Sequence, residues 1–318
     1  MLKPLGTSSF SRIRRGGHLF VDKSNFIKDC VSQPGPTIIH RPCGFGKTLL
    51  LSMMESFLSH SVEPDLFDSL VILRDQEFCT EHMGKYRVVR LSMHSVWGQS
   101  MDSIYSDLSF ALGEFLRPHW DLVSDSLTKT FGCPSEAAIC PGAFINSLQD
   151  PPNSNQFDES VLSSIPLALI KCLSELDPIT KLVVLVDDYD NPFRYPFESP
   201  NERDKAQRFF RGMYSGILES DGDFKTCLMG VADRDGGLLG DMSRSVDGRY
   251  ARYFGFTAEE VGQLLRDEFG MTHEEVENEI MKRHGIQQAC PHFRMGAVQL
   301  VEPWSLLMYI QRKSKGGT

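Results

Sequence analysis

Apolar residues follow two periods along this chain, and the periods alternate. Thr37-Ile38-Ile39-His40 is a short β-type run, and it predicts a strand. From Lys47 onward the spacing changes. Leu50, Met53, Met54, Phe57 and Leu58 recur at three- and four-residue intervals, which predicts an amphipathic helix. Arg87–Leu91 reads as a second strand, Met101–Leu116 as a helix and Glu159–Leu176 as another, ended by Asp177-Pro178. Lys181–Val186 is K-L-V-V-L-V, a continuous run that suits a strand buried on both faces. Phe224–Val231 gives a further strand. The short run Tyr253-Phe254-Gly255-Phe256 precedes Thr257-Ala258-Glu259-Glu260. There Thr257 caps a helix and Glu260 takes the third helical position. Strands alternating with helices predict an α/β fold on a parallel sheet flanked by helices.

The intervening stretches are read from their breakers. Gly16-Gly17 marks a turn before the apolar run Leu19–Val21, so the N-terminus is expected to form a folded strand and turn. Ser24 or Asp22 caps a helix with Phe26, Ile27 and Val31 inward, and Pro34-Gly35-Pro36 stops it. From about 117 to 158 the pattern breaks at Pro118, Pro134, Pro141, Pro151 and Pro152, which predicts an irregular insertion. Residues 311–318 read as a flexible tail.

Composition narrows the function classes. The chain has 318 residues, 41% hydrophobic and 24% charged, with a net charge of -9. That is ordinary for a globular protein, and the acidity argues against a surface dedicated to coating nucleic acid. No apolar run approaches the ~20 residues of a membrane helix. The first 21 residues hold no acid, a faint transit-peptide trait outweighed by the packing residues Phe10, Leu19, Phe20 and Val21. The eight cysteines form no C-x-x-C pair. They predict free thiols in a reducing, intracellular compartment, cytoplasmic or nuclear, rather than a zinc ribbon.

Chemistry enters at Arg41–Thr48, R-P-C-G-F-G-K-T. The phosphate-loop pattern is G-x-x-x-x-G-K-[ST], and Arg41 replaces its first glycine. Gly44 and Gly46 let the backbone curl so that successive N–H groups converge on phosphate oxygens at a helix start. Lys47 reaches the β- and γ-phosphates, and the Thr48 hydroxyl ligates magnesium. The nucleotide-binding stretch is Arg41, Pro42, Cys43, Gly44, Phe45, Gly46, Lys47, Thr48 and Leu49. A chance G-x-G-K-T in a surface turn is the plain alternative. A second element weighs against it. Leu182–Asp190 reads L-V-V-L-V-D-D-Y-D, a hydrophobic strand ending in acids, as in a Walker-B segment. Asp187 is the expected magnesium residue, and Asp188 stands where many ATPases carry the glutamate that acts on the attacking water. Lys47 and Asp188 are the expected catalytic pair.

With both elements in view, the chain resembles the AAA-ATPase-like family often fused to a PD-(D/E)XK nuclease-type domain. Gly6, Phe10, Ile13, Arg14 and Gly17, followed by F-V-D-K-S at Phe20–Ser24, match its opening blocks. Its loop reads R-P-R-R-F-G-K-S, so Arg41 is a family trait. V-D-D-Y-D-N-P at Val186–Pro192 matches I-D-E-Y-D-x-P. G-F-T-x-E-E-V is met at Gly255–Val261, and E-P-W-S-L at Glu302–Leu306 echoes N-P-W-S-L. The resemblance implies an ASCE-type P-loop NTPase using ATP and Mg²⁺. It implies a core over 1–255 and a small, mainly helical lid over 256–310. It also implies a place for Asp22 and Lys23 near the nucleotide base. The nuclease-like domain is expected to be absent, and nucleic acid enters only by that analogy.

Departures bear on turnover. Asp188 replaces the family's glutamate, one methylene shorter. Where the family has T-G-x-[ST]-R, this chain has M-G-V-A-D-R, leaving Met229 and Ala232 at the polar sensor positions. No arginine finger is assigned among Arg234, Arg244, Arg249 and Arg252. His18, His40, His94 and His292 lack metal-ligand spacing. Two readings stand. One is a magnesium-dependent ATPase whose hydrolysis drives a conformational change. The other is a nucleotide-gated module that turns ATP over weakly or not at all. A small-molecule kinase would need an arginine-bearing lid, and a GTPase an N-K-x-D-type segment; neither is found. A protein partner or a second copy of the chain is left open.

Overall fold

The computed structural model describes residues 7–134, 139–149, 159–219, 224–231, 249–281, 292–295 and 298–314. The chain divides into two compact units. One comprises Met1–Gln33, Ile39–Gly84 and Ser245–Thr318, the other Pro34–Ile38 and Lys85–Arg244.

The first described element is a helix, α1 (Phe10–Arg15), where a strand and turn are expected. Ser9 accounts for the difference. Its side chain accepts a hydrogen bond from the Arg12 amide as an N-cap, and Phe10 and Ile13 turn into the core. Next, α2 (Asn25–Val31) buries Phe26, Ile27 and Cys30. The Ser24 hydroxyl does not cap it but accepts from the Ile72 amide at 3.1 Å. Then β1 (Thr37–His40) leads into α3 (Lys47–Leu58), which buries Leu50, Leu51, Met53, Met54, Phe57 and Leu58. The Phe67 ring joins this face to α1, 4.9 Å from Phe10 and 5.2 Å from Phe57. A further helix, α4 (Gln76–His82), is capped by Asp75 through the Phe78 amide.

The second unit runs through β2 (Tyr86–Ser92), α5 (Met101–Leu116), α6 (Trp120–Thr130), α7 (Pro141–Gln149), α8 (Glu159–Leu176), β3 (Lys181–Asp187), α9 (Pro200–Glu219) and β4 (Phe224–Gly230). The helices α6 and α7 fall where the prolines predict irregular chain. Pro141 opens α7, and Pro118 lies in the single turn before α6. Proline is well placed in a first helical turn, whose N–H groups lack intrahelical partners. These prolines therefore punctuate helices rather than break them. The four-stranded parallel sheet has the order β1-β4-β3-β2 and is flanked by helices. Every residue of β3 after Lys181 is buried, as its unbroken apolar run predicts. Val89, Leu91, Val184, Val186 and Leu228 of the sheet share one core with residues of α5, α8 and α9.

The chain then returns to the first unit with β5 (Phe256–Thr257), α10 (Ala258–Phe269), α11 (His273–Met281), β6 (His292–Met295), β7 (Val298–Val301) and α12 (Pro303–Ser314). The predicted capping box is present, with Thr257 and Glu260 bonding each other's backbone amides at 3.3 and 2.9 Å. Among its described residues the helices α10, α11 and α12 are accompanied by three short strands. β5, β7 and β6 form an antiparallel sheet in that order. Its strands are too short for alternation to show in sequence. The unit's early and late segments meet through rings. Phe26 lies 5.6 Å from Tyr250, 5.6 Å from Tyr253 and 5.9 Å from Phe254. Among the described residues, no helix is long and apolar enough to cross a membrane.

Candidate functional site

Strand β1 ends at His40 and α3 begins at Lys47, so Arg41–Gly46 bridge a strand and a helix. Gly44 and Gly46 have φ of +82° and +88°, a left-handed turn that side-chain-bearing residues resist. Gly46 is the N-cap of α3 and brings no capping side chain. The first turn of α3 carries no acid. Its N-terminal dipole and the adjacent ammonium are therefore both positive at one place. Lys47 is only 5% exposed. Its Nζ donates to the Arg41 and Pro42 carbonyls, both at 3.1 Å. Cys43 and Gly44 are exposed, while Pro42, Gly46, Thr48 and Leu49 are half-buried.

Two residues of the loop anchor it within the first unit. Arg41 is completely buried. Its guanidinium donates to the His40 carbonyl at 2.5 Å and lies over the Phe254 ring, 4.8 Å from the centroid. That is a cation–π stack in a desolvated setting. Phe45 is buried, and its carbonyl accepts the Gly255 amide at 3.1 Å. Gly255 has φ +70°, and a Cβ there would stand 2.8 Å from the Phe45 ring. Only glycine lets the ring sit this close. Nearby, Lys23 is buried and donates to Glu260 and to the Arg252 carbonyl at 2.5 and 2.6 Å. Burial lowers the Lys23 pKa and the Glu260 carboxylate raises it, with burial the larger. Asp22 accepts from the Ser24 and Val71 amides at 2.8 and 2.6 Å. Both residues hold the unit's early segment in place.

The acidic block belongs to the second unit. Asp187 ends β3, level with Ser92 of β2 and Met229 of β4. Its buried carboxylate accepts from Arg90 at 2.9 Å. Asp188 has φ +52°, a conformation uncommon outside glycine and better tolerated by aspartate than by most residues. Its carboxylate pairs with Arg194 at 2.6 Å and lies 3.4 Å from His94. Asp190 accepts the Val231 amide on both oxygens at 3.0 Å. The Asn191 amide donates to the carbonyls of Met93, His94 and Val96 at 2.9–3.0 Å, tying the turn after β2 to the turn after β3. Tyr189 is buried, and its carbonyl accepts from the Tyr214 hydroxyl at 2.8 Å. Burial pushes the Tyr214 phenol well up.

The sequence finds the loop and the acids but misses what surrounds them. Arg90, Arg194, His94, Phe254 and Glu302 are absent from the expected site. Only Arg194 leaves a local signal, six residues past Asp188. Met229 at a sensor position is a fully buried core residue whose carbonyl accepts the Tyr189 amide at 3.2 Å. Of the candidate arginines, Arg249 bonds Gln33 and Arg252 lies over the Tyr253 ring. Ala232, Arg234, Arg244, the segment 235–248, Gly6, Cys290 and the tail residues 315–318 lie outside the described residues.

The donor set fits a triphosphate: an ammonium, a hydroxyl and left-handed glycines at a helix start. Thr48 in the first unit and Asp187 in the second each carry an oxygen donor of the hard kind that magnesium prefers. Among the described residues no three His, Cys, Asp or Glu side chains gather as a metal site. Nucleotide-bound magnesium does not require such a cage, since phosphates and water complete its shell.

Comparison with known proteins gives two matches. The family model described as Predicted AAA-ATPase, AAA-ATPase-like, matches residues 4–233. Over 281 residues the chain is 23% identical to a protein of Azotobacter chroococcum mcd 1 described as an uncharacterized protein in the vnfD 5' region. That match covers 86% of this chain and 46% of the relative, so the chain spans about half the relative's length. No solved structure matches the chain.

Proposed function

The chain belongs to the AAA-ATPase-like family of predicted AAA-ATPases, and on that premise we propose that it is a magnesium-dependent P-loop NTPase. It binds ATP at Arg41–Leu49 and hydrolyses it to drive a conformational change. One observation carries the reading: left-handed Gly44 and Gly46 deliver Lys47 to the start of α3 straight after β1. Curled backbone and helix start together make an anion cradle. The order β1-β4-β3-β2, with β4 between the loop strand and the acid-bearing strand, supports the ASCE type.

In this reading the backbone of the loop orients the phosphates, and Lys47 exchanges the Arg41 and Pro42 carbonyls for phosphate oxygens. Bound magnesium would supply charge neutralisation, and Thr48 and Asp187 are the residues that would hold it. Asp188 accepts a proton from the attacking water. A second reading, a nucleotide-gated module with little hydrolysis, has its own support. The Asp188 carboxylate is already paired with Arg194 and shorter than the glutamate of the resembled family. A carboxylate already engaged by a guanidinium has fewer open lone pairs with which to meet an attacking water.

The test is a calorimetric titration of the whole chain with ATP and magnesium, followed by a phosphate-release assay. Binding at micromolar affinity or tighter is expected, and Lys47→Ala is expected to abolish it. Unchanged binding in that variant overturns the reading. Phosphate release above background selects the ATPase, and its absence selects the gated module.

A further inference from the structure

The E-P-W-S-L block at Glu302–Leu306 has no part in the reading above. Glu302 follows β7 and precedes α12, and its carboxylate is fixed at both ends. One oxygen accepts the Trp304 amide at 3.1 Å and the other the Ser305 amide at 2.6 Å. The residue is only 8% exposed. The same carboxylate lies against the phosphate loop within the first unit. A Cβ placed on Gly44 would stand 2.5 Å from its Oε1 and 3.2 Å from its carboxyl carbon. The left-handed turn at Gly44 and the negative charge therefore occupy one place.

A helix cap does not need this residue. Serine, threonine, asparagine and aspartate cap well with shorter side chains. A glutamate adds length and charge, and here both are directed at the loop. Two N–H donors and burial keep the carboxylate from swinging away, so an anion arriving at the loop meets a stationary like charge. Like charges in a poorly solvated site repel far more than in water.

We infer that Glu302 is a specificity-determining residue of the loop, discriminating among nucleotides by the charge of their phosphates. Its carboxylate weakens binding in proportion to the negative charge the ligand brings. It lowers the affinity for ATP most, for ADP less and for AMP least. The inference rests on the nucleotide reading of the loop and goes beyond it, because it names the residue that sets the affinity order.

The experiment titrates ATP, ADP and AMP into the whole wild-type chain, Glu302→Gln and Glu302→Asn, first in EDTA, where the charge falls from ATP to ADP to AMP, and then with magnesium. Glutamine removes the charge at nearly constant shape. Asparagine removes it while remaining a strong N-cap, so it carries the test if Glu302→Gln fails to melt cooperatively. The expected result is a gain in ATP affinity of about tenfold, equivalent to one pair of partly screened charges. In EDTA the gain shrinks for ADP and is smallest for AMP. A merely structural role would move all three alike. Wild-type binding with equal, absent or negative changes across the three ligands overturns this inference and leaves the nucleotide reading standing. Failure of the wild type to bind any of the three, with magnesium or without, overturns both.

Discussion

At Arg41–Thr48 the backbone carries the shape and aromatic packing holds it; at Asp187–Asn191 ion pairs and one side-chain amide do that work. Arg41 lies over Phe254, Phe45 lies against Gly255, and Lys47 rests on two carbonyls of its own loop. In the acidic block Asp187 is held by Arg90, Asp188 by Arg194, and the turn by Asn191. Burial of rings is insensitive to salt, whereas pairing of charges is not. The supports of the loop are therefore expected to outlast added salt better than those of the block.

The sharpest way to break this contrast is Phe254→Ala. Removing a buried ring costs about 3–5 kcal/mol, and here it also uncovers the Arg41 guanidinium. Urea denaturation measures it; a loss below ~1 kcal/mol would mean that packing is not what seats the loop. The next effect lies in the block. Asp188→Glu restores the longer carboxylate and is expected to raise phosphate release about tenfold, since small displacements of a catalytic group change rates by such factors. It also lowers the melting temperature slightly, because glutamate tolerates the left-handed backbone at this position less well than aspartate. Brisk wild-type hydrolysis that Asp188→Ala leaves untouched would remove that residue from the chemistry.

The smallest effect belongs to neither region. Burial first, and Arg87 second, push the His119 pKa down to about 4 from 6.5. The folded chain thus binds fewer protons than the unfolded chain between these values. Stability is full above pH 6.5 and falls as pH drops toward 4. His119→Gln should flatten this acid limb in melting curves recorded across the window, and leave ATP binding at pH 7 unchanged. An identical limb in the variant would assign the acid sensitivity to other groups.

Legibility in the sequence followed periodicity and distance along the chain. The bounds of β1, α5 and α8 were readable because apolar spacing or flanking breakers define them. α9 does not declare itself, although Ala206, Phe209, Phe210, Met213, Tyr214 and Ile217 are buried at helical spacing. Its charged residues hide the stripe to the eye but not to a count of intervals. β6 and β7 are four residues each, too short for a period to form. In the site, the loop and the acids are contiguous motifs and declare themselves. Arg90 lies 97 residues from Asp187, and their pairing depends on β2 lying beside β3. No local pattern encodes that register.

The unit that holds the loop is stitched from three stretches of chain, and the last of them, Ser245–Thr318, supplies Phe254, Gly255 and Glu302. During synthesis the R-P-C-G-F-G-K-T segment emerges early and waits for its cover until this final stretch is made. A truncation at residue 233, where the family match ends, keeps every residue of the motif and loses the ring beneath Arg41, the glycine beside Phe45 and the carboxylate at Gly44. Such a fragment retains the signature by which nucleotide binding is recognised, without the parts that seat the signature in three dimensions.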